Sequence, residues 1–167
     1  MSRAAPAFPA QVTDVRACTS ASPFHPFDFW LGSWDVYVAG NPVGSNEIGP
    51  ILHGCAFVER WTDVNGGKGE SLFYYLPSGQ TWKQIWVTDS PFARGGVKEK
   101  TMLSNNCTVP VIFQGSYPVS ADLTFLDRTT LSPIDENTAR QLIEISRDGG
   151  VTWKSVFDAV YLRKRRP

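Results

Sequence analysis

The chain has 167 residues, enough for one domain with a substantial core, and its 42% hydrophobic and 19% charged content is typical of a folded globular protein. Its formal net charge is zero, but four of the 16 basic residues lie in the last five positions, so the remainder carries 12 basic against 16 acidic residues, which argues against a general nucleic-acid surface. No apolar run approaches the roughly 18 residues of a membrane span, and the N-terminus lacks the continuous hydrophobic segment of a signal peptide.

The first 23 residues are rich in Ala, Pro and Ser and show no periodicity, so we predict a flexible arm over 1–23. A short helical turn follows in "HPFDFW" and ends at Gly32, where the first strand begins. From there apolar residues alternate with a period of two, and turn sequences such as "AGNP", "NGGKG" and "RDGG" separate the segments. The predicted strands are 33–39, 43–48, 51–63, 70–76, 81–88, 96–103, 109–115, 120–131, 139–146 and 152–163.

About ten consecutive short strands without a sustained helical stripe predict an all-β fold. The simplest arrangement is a single antiparallel meander β-barrel of about 8–10 strands, because closing the sheet removes its exposed edges. We place the barrel at 24–163 and a basic tail at 164–167. One turn, "SRDGGVTW" at 146–153, fits the Asp-box pattern of sialidase propellers. It occurs once, so it predicts a locked hairpin and no repeated blade.

Two short motifs resemble the calycin signature of lipocalins and their relatives. Gly32-Ser33-Trp34 follows the helical turn and opens the first strand, and Arg163 follows the last strand. In calycins the Trp of G-x-W lies at the barrel base and is covered by a basic residue from the end of the final strand. The resemblance implies that Arg163 covers Trp34.

A longer pattern is similar to a large bacterial family of lipocalin-like barrels. It comprises "FDFWLGSWDV", "GCAFVERW", "GESLFYYLPSGQTWKQIWV", "RQLIEISRDGGVTW" and "FDAVY", and extends from about Phe27 to Arg163. The resemblance implies a lipocalin-like fold, whereas the family has no established shared activity. Haem-binding barrels of the nitrobindin type use a His near the C-terminus. Here His25 and His53 are the only histidines and both come early, so we predict no haem.

The stretch "HGCAFVERW" presents two alternating faces, and the larger side chains share one of them. We predict that His53, Cys55, Phe57, Glu59 and Trp61 face the interior. A buried Glu must be paired or protonated, and Gln84, Arg140 or Gln141 could serve as the partner of Glu59. The alternative interpretations are that Glu59 belongs to a structural hydrogen-bond network and that Cys55 is a small buried apolar residue.

The stretch "TWKQIWV" predicts a ligand pocket. Trp82, Gln84 and Trp86 alternate with Lys83, which marks the outer face, so the two indoles and the amide should face inward. A solid interior would favour Val, Ile and Leu over so many indoles. We therefore expect a pocket lined by Trp61, Trp82, Gln84 and Trp86, with Tyr74 or Tyr75 as a further wall.

No motif for a metal ion or a nucleotide cofactor is present. His53, Cys55 and Glu59 are eligible ligands, but their spacing is wide for one ion and no CxxC, HxH or HExxH pattern completes the set. The chain has no GxGxxG, Walker-type or GxSxG motif, so we predict no cofactor. The odd count of cysteines (Cys18, Cys55, Cys107) favours reduced thiols and a cytoplasmic location.

These observations favour a protein that binds a small hydrophobic or aromatic molecule, with no nucleic-acid partner. Such a barrel could be a cofactor-independent isomerase, cyclase or lyase, or a non-catalytic carrier or storage protein; a homodimer is compatible with either. The predicted catalytic residues are Glu59 and His53. The predicted ligand-binding residues are Phe57, Trp61, Tyr74, Trp82, Gln84, Trp86, Arg140 and Glu144.

Overall fold

The computed structural model describes residues 25–90, 96–103, 109–120 and 123–165. Within them the chain forms ten strands and three single 3₁₀ turns, the latter at Asp28–Trp30, Leu52–Gly54 and Pro77–Gly79. The strands are β1 (Gly32–Val38), β2 (Asn41–Ile51), β3 (Ala56–Asp63), β4 (Lys68–Leu76), β5 (Thr81–Thr88), β6 (Lys98–Met102), β7 (Val111–Ser120), β8 (Leu123–Asp135), β9 (Thr138–Ser146) and β10 (Lys154–Arg163). The predicted arm and part of the basic tail lie outside the described residues.

The strands form one closed antiparallel barrel in which each strand pairs with its neighbours in sequence. β1 closes the barrel against β10, where Trp34 pairs with Arg163 and Val38 with Ala159. The predicted all-β meander barrel is therefore confirmed. No helix among these residues is long and apolar enough to cross a membrane.

Aromatic side chains fill one end of the barrel. The ring of Phe27, from the segment before β1, lies 5.0 Å from Trp82 and 5.4 Å from Phe57 between ring centroids. The cluster is almost entirely buried and includes Phe27, Trp30, Trp34, Phe57, Phe73, Trp82, Phe113 and Tyr161. Burial of this much apolar surface is the main stabilising contribution to the fold.

Arg163 covers Trp34 at the base of the barrel. Its guanidinium carbon lies 4.2 Å from the Trp34 ring centroid, and its Nη1 donates to the Leu31 carbonyl at 2.6 Å. The Trp34 indole nitrogen donates to the Trp30 carbonyl at 3.0 Å. The contact expected from the calycin-like motifs is thus present, and it joins the helical turn, the first strand and the last strand.

The hairpin between β9 and β10 has the predicted locked geometry. Asp148 accepts hydrogen bonds from the Thr152 amide at 2.9 Å and the Thr152 hydroxyl at 2.6 Å. The Trp153 indole donates to the Gly150 carbonyl at 3.0 Å. These bonds lower the pKa of Asp148 to about 2, the side-chain bond from Thr152 contributing most.

Candidate functional site

A cavity of about 420 Å³ occupies the end of the barrel opposite the aromatic cluster. Along several strands the inward positions pass from the cluster into the cavity: Phe57 is followed by Glu59, and Trp82 by Gln84. This volume lies within the range of small-molecule sites, roughly 300–1,000 Å³. The cavity is lined by Val43, Glu59, Trp61, Asp63, Gln84, Trp86, Lys98, Lys100, Thr129, Gln141, Ile143, Val156, Phe157 and Tyr161.

Glu59 is the carboxylate on the cavity wall nearest the aromatic cluster, and it is only 4% exposed. Its Oε1 accepts a hydrogen bond from Asn46 Nδ2 at 2.7 Å, and its Oε2 accepts one from Ser71 Oγ at 2.6 Å. Gln84 Nε2 in turn donates to Ser71 Oγ at 3.0 Å. Strand pairing brings this network together, since β3 lies between β2, which carries Asn46, and β4, which carries Ser71.

Burial raises the pKa of Glu59 above that of an ordinary glutamate. The hydrogen bonds from Ser71 and Asn46 and the positive charge of Lys100 act in the opposite direction, but removal from water dominates. Glu59 therefore keeps its proton to a higher pH than an exposed carboxyl group. A carboxyl group with a raised pKa on a cavity wall is a candidate for general acid–base chemistry.

A second polar cluster contains two lysines and one aspartate. Lys98 Nζ lies 2.6 Å from Asp127 Oδ2, while the Lys100 ammonium forms an ion pair with Asp127 Oδ1 and donates to Thr129 Oγ1 at 2.6 Å. The lysines lie on β6 and Asp127 on β8. They meet across β7, where Gly115 pairs with Asp127. Burial lowers the pKa of Lys100, and Asp127 opposes that change.

Tyr161 is a fixed hydroxyl group in the cavity. It is 1% exposed and donates to Gln141 Oε1 at 2.6 Å. Burial raises the pKa of Tyr161 well above its ordinary value, and the negative charge of Glu59 adds to the effect. The phenol therefore stays protonated at physiological pH.

Two indoles form much of the apolar wall, and each lies over a glycine of the neighbouring strand. A Cβ atom built on Gly44 would lie 2.7 Å from Trp61 Cη2, and one on Gly69 would lie within 3.0 Å of Trp86 Cζ3. The glycines therefore let Trp61 and Trp86 lie flat against the wall. Phe157 contacts the Trp61 ring edge to face at 6.2 Å between centroids.

The structure brings four of the predicted site residues to the cavity: Glu59, Trp61, Gln84 and Trp86. Phe57 and Trp82 also face inward, but they lie in the aromatic cluster and not on the cavity wall. The predicted set of hydrogen-bond partners of Glu59 did not include the two residues that bind it directly. Gln84 reaches Glu59 through Ser71, and Asn46 binds it directly.

Four predicted site residues lie elsewhere. His53 is exposed in the turn before β3, where its φ of 55° interrupts the extended backbone on which its predicted inward orientation depended. Arg140 lies on the outer face and pairs with Asp158 at 2.7 Å. Glu144 pairs with Arg128 at 2.9 Å, and Tyr74 lines a polar groove shared with Lys83. The predicted inward roles of these residues are therefore wrong.

The prediction that Cys55 is a reduced thiol is also wrong, because this residue forms a disulfide. It precedes β3, which begins at Ala56, so it is not on the inward face of that strand. Cys18 and Cys107 lie outside the described residues.

Sequence reasoning missed several polar residues that line the cavity, namely Lys98, Lys100, Thr129, Tyr161 and, as a wall residue, Gln141. It also missed the buried residues that bind the polar groups of the wall, namely Asn46, Ser71 and Asp127. A signal for some of them was present. In "LTFLDRTTL" the polar Asp127 and Thr129 share a face with Phe125 and Leu131, which are buried. A polar pair between large apolar residues on one strand face predicts a hydrogen-bonded site inside a barrel.

Neither a protein-family model nor a curated protein matches this chain. Among the described residues, no group of three or more His, Cys, Asp or Glu side chains could hold a metal ion.

Proposed function

We propose that this barrel binds a small, largely apolar and aromatic molecule in its cavity and catalyses a cofactor-independent proton transfer on it. An isomerase, a cyclase or a lyase would use such a step. The observation that carries the proposal is Glu59, a buried ionisable group on the wall of a cavity that also contains two indoles. We also propose, from the sequence pattern and the Trp34–Arg163 contact, that the chain belongs to the bacterial lipocalin-like family that it resembles.

The walls favour a flat apolar ligand. Trp61, Trp86 and Phe157 offer ring faces and edges, and Val43, Ile143 and Val156 add aliphatic surface. Aromatic ligands stack on such rings with a gain beyond the burial of area. The indoles are pressed against the barrel wall over Gly44 and Gly69, which leaves the centre of the cavity open for a ligand ring.

Glu59 would act as the general acid or base. Asn46 and Ser71 each hold one of its oxygens, so the carboxyl group has a fixed orientation before a ligand arrives. As a carboxylate it would accept a proton from the ligand, and as a carboxylic acid it would return that proton to another atom. Assistance of this kind contributes on the order of 10²–10⁴ in rate.

Gln84 gives the site an acceptor for a neutral donor. Its Nε2 is used by Ser71, while its Oε1 is buried without a hydrogen-bond partner in the described part of the chain. A ligand hydroxyl or N–H group would satisfy this oxygen, and the lone buried acceptor is costly until one does. We therefore propose that Gln84 orients the ligand by accepting a hydrogen bond from its hydroxyl or amine group.

The second candidate is a carrier that holds a similar ligand without changing it. It is favoured by the fact that both oxygens of Glu59 already accept hydrogen bonds within the protein, as in a structural network. The disulfide at Cys55 favours an oxidising compartment for either candidate, instead of the cytoplasm that the cysteine count predicted.

Tryptophan fluorescence, titrated with a panel of aromatic and terpenoid compounds, tests binding. We expect Trp61→Phe and Trp86→Phe to reduce the response, and Trp153→Phe, in the outer hairpin, to leave it intact. No response across the panel would contradict the proposal.

Glu59→Gln separates the enzyme from the carrier. This change keeps the shape of the side chain but removes its proton chemistry, so an enzyme should retain binding and lose turnover of any compound that the wild type converts. Mass spectrometry of incubated compounds measures turnover. Unchanged activity per folded molecule would give Glu59 a purely structural role.

A further inference from the structure

The lysine–aspartate cluster of the cavity carries an excess positive charge. Lys98 and Lys100 share a single carboxylate, and each oxygen of Asp127 is paired with one of them. Asp127 is 1% exposed and Lys100 is 5% exposed, so water screens this charge poorly. With both lysines protonated, the cluster holds two ammonium groups and one carboxylate, which is an excess of one positive charge.

The two ammonium groups retain hydrogen-bonding capacity. An ammonium has three N–H donors. Lys98 uses one on Asp127, and Lys100 uses two, on Asp127 and Thr129. Both side chains border the cavity, so the remaining donors can reach an acceptor that is bound there.

The other two carboxyl groups that line the cavity, Glu59 and Asp63, lie on β3, whereas Lys98 and Lys100 lie on β6. Burial raises the pKa of Glu59 and so disfavours its charged form, and Tyr161 remains a neutral phenol. Asp63 Oδ1 accepts hydrogen bonds from the amides of Asn65 at 2.8 Å and Gly67 at 3.0 Å in the turn after β3. The wall formed by β6 and β8 is therefore the positive side of the cavity.

We propose that the ligand is an aromatic monoanion whose carboxylate binds Lys98 and Lys100 while its ring lies against Trp61 and Trp86. This inference rests on the proposed function and narrows it to aromatic acids. The carboxylate supplies the charge that the cluster lacks and accepts the remaining N–H groups. Glu59 lines the same cavity as the two lysines and the two indoles, so a ligand bound there shares the cavity with that carboxyl group.

A matched pair of probes tests the proposal: naphthalene-2-carboxylate and its neutral isostere, naphthalene-2-carboxamide. Affinities are measured by isothermal titration calorimetry at pH 7.5. We expect the acid to bind about tenfold more tightly, which corresponds to about 1.4 kcal/mol. A charge-assisted hydrogen bond is stronger than a neutral one, so a difference of this size is reasonable for one or two contacts.

Two variants locate the preference. Lys98→Met leaves one lysine and one aspartate, so the preference for the acid should fall to about twofold or less, with amide binding unchanged. Lys83→Met is the control, because Lys83 lies in the polar groove outside the cavity, where it donates to Thr101 Oγ1 at 2.6 Å.

The possible failures are distinguishable. Equal binding of the acid and the amide by the wild type would overturn the anion inference and leave the proposed function standing. Binding of neither probe would overturn the proposed aromatic site and the inference with it. An acid preference that survives Lys98→Met in a protein that melts like the wild type would also overturn the inference.

Discussion

An alanine at Gly69 should push the Trp86 indole into the cavity. The added methyl carbon would lie within 3.0 Å of Cζ3 and closer still to Cζ2 and Cη2 of that ring. Carbon atoms pack at about 3.5–4.0 Å, so the indole must retreat by at least about 1 Å. Trp86 is half-buried and borders the cavity, and the open space on that side is where it can go.

Overpacking of this kind costs about 1–3 kcal/mol in the free energy of unfolding. Because the displaced indole occupies ligand volume, the affinity for an aromatic probe should also fall, by about tenfold or more. Urea denaturation measures the first effect and fluorescence titration the second. Adding Trp86→Phe to Gly69→Ala should recover part of the lost stability, since a phenyl ring is smaller than an indole. The effects of the two changes on the free energy of unfolding should differ from their sum by about 0.5–3 kcal/mol, as is usual for residues in contact.

Gly49→Ala is the matched control. Gly49 lies on β2, and a Cβ atom there would meet nothing within 4 Å. The control should therefore unfold and bind like the wild type. If Gly69→Ala behaves like Gly49→Ala in both assays, Trp86 does not rest on Gly69 and the account of an open cavity between flattened indoles is refuted.

Three further predictions concern stability. Because the pKa of Glu59 is raised, the native state keeps a proton that the unfolded state loses near pH 4.5. The free energy of unfolding of the wild type should therefore fall as the pH rises from 4.5 through the native pKa. Glu59→Gln should lack this fall when both proteins are denatured with urea between about pH 4 and 8. Arg163→Met removes hydrogen bonds to the Phe29 and Leu31 carbonyls and the stacking on Trp34, and should cost about 2–4 kcal/mol in urea, whereas the exposed Arg165→Met should cost little. The pKa of Asp148 is lowered to about 2, so this carboxylate stabilises the fold above pH 3.8, its ordinary pKa, and the stabilisation is lost as the pH falls through 2. The melting temperatures of the wild type and Asp148→Asn should converge over that interval. A constant difference would contradict the assignment.

The barrel could be predicted because its determinants are local. Period-two alternation and turn residues mark each strand, and nearest-neighbour pairing then leaves few topologies. The same alternation placed Gln84 and Trp86 inside, with Lys83 on the outer side. Its limit is the break before β3, where Leu52 and His53 adopt φ values of 50° and 55°. Leu rarely adopts that conformation and His, although enriched in it, does not predict it alone, so the strand with its inward face was extended too far toward the N-terminus.

The charged part of the site was not predictable from single strands. Lys normally marks an outer face, and at Lys83 that rule holds. Lys98 and Lys100 break it because Asp127, 29 and 27 positions away, compensates their burial across Gly115. Such a pair depends on the registers of the β6–β7 and β7–β8 pairings, which the sequence pattern does not give. Arg140 was misplaced because its ion-pair partner, Asp158, lies on the outer face of the adjacent strand β10.

The central claim is that the cavity holds an aromatic ligand beside Glu59. A crystal structure of the protein with the tightest-binding compound of the aromatic panel tests it most directly. The account predicts ligand density against Trp61 and Trp86, with a ligand atom within hydrogen-bonding distance of Glu59 or Gln84. Ligand bound on the outer surface, or a cavity closed by the two indoles, would contradict it.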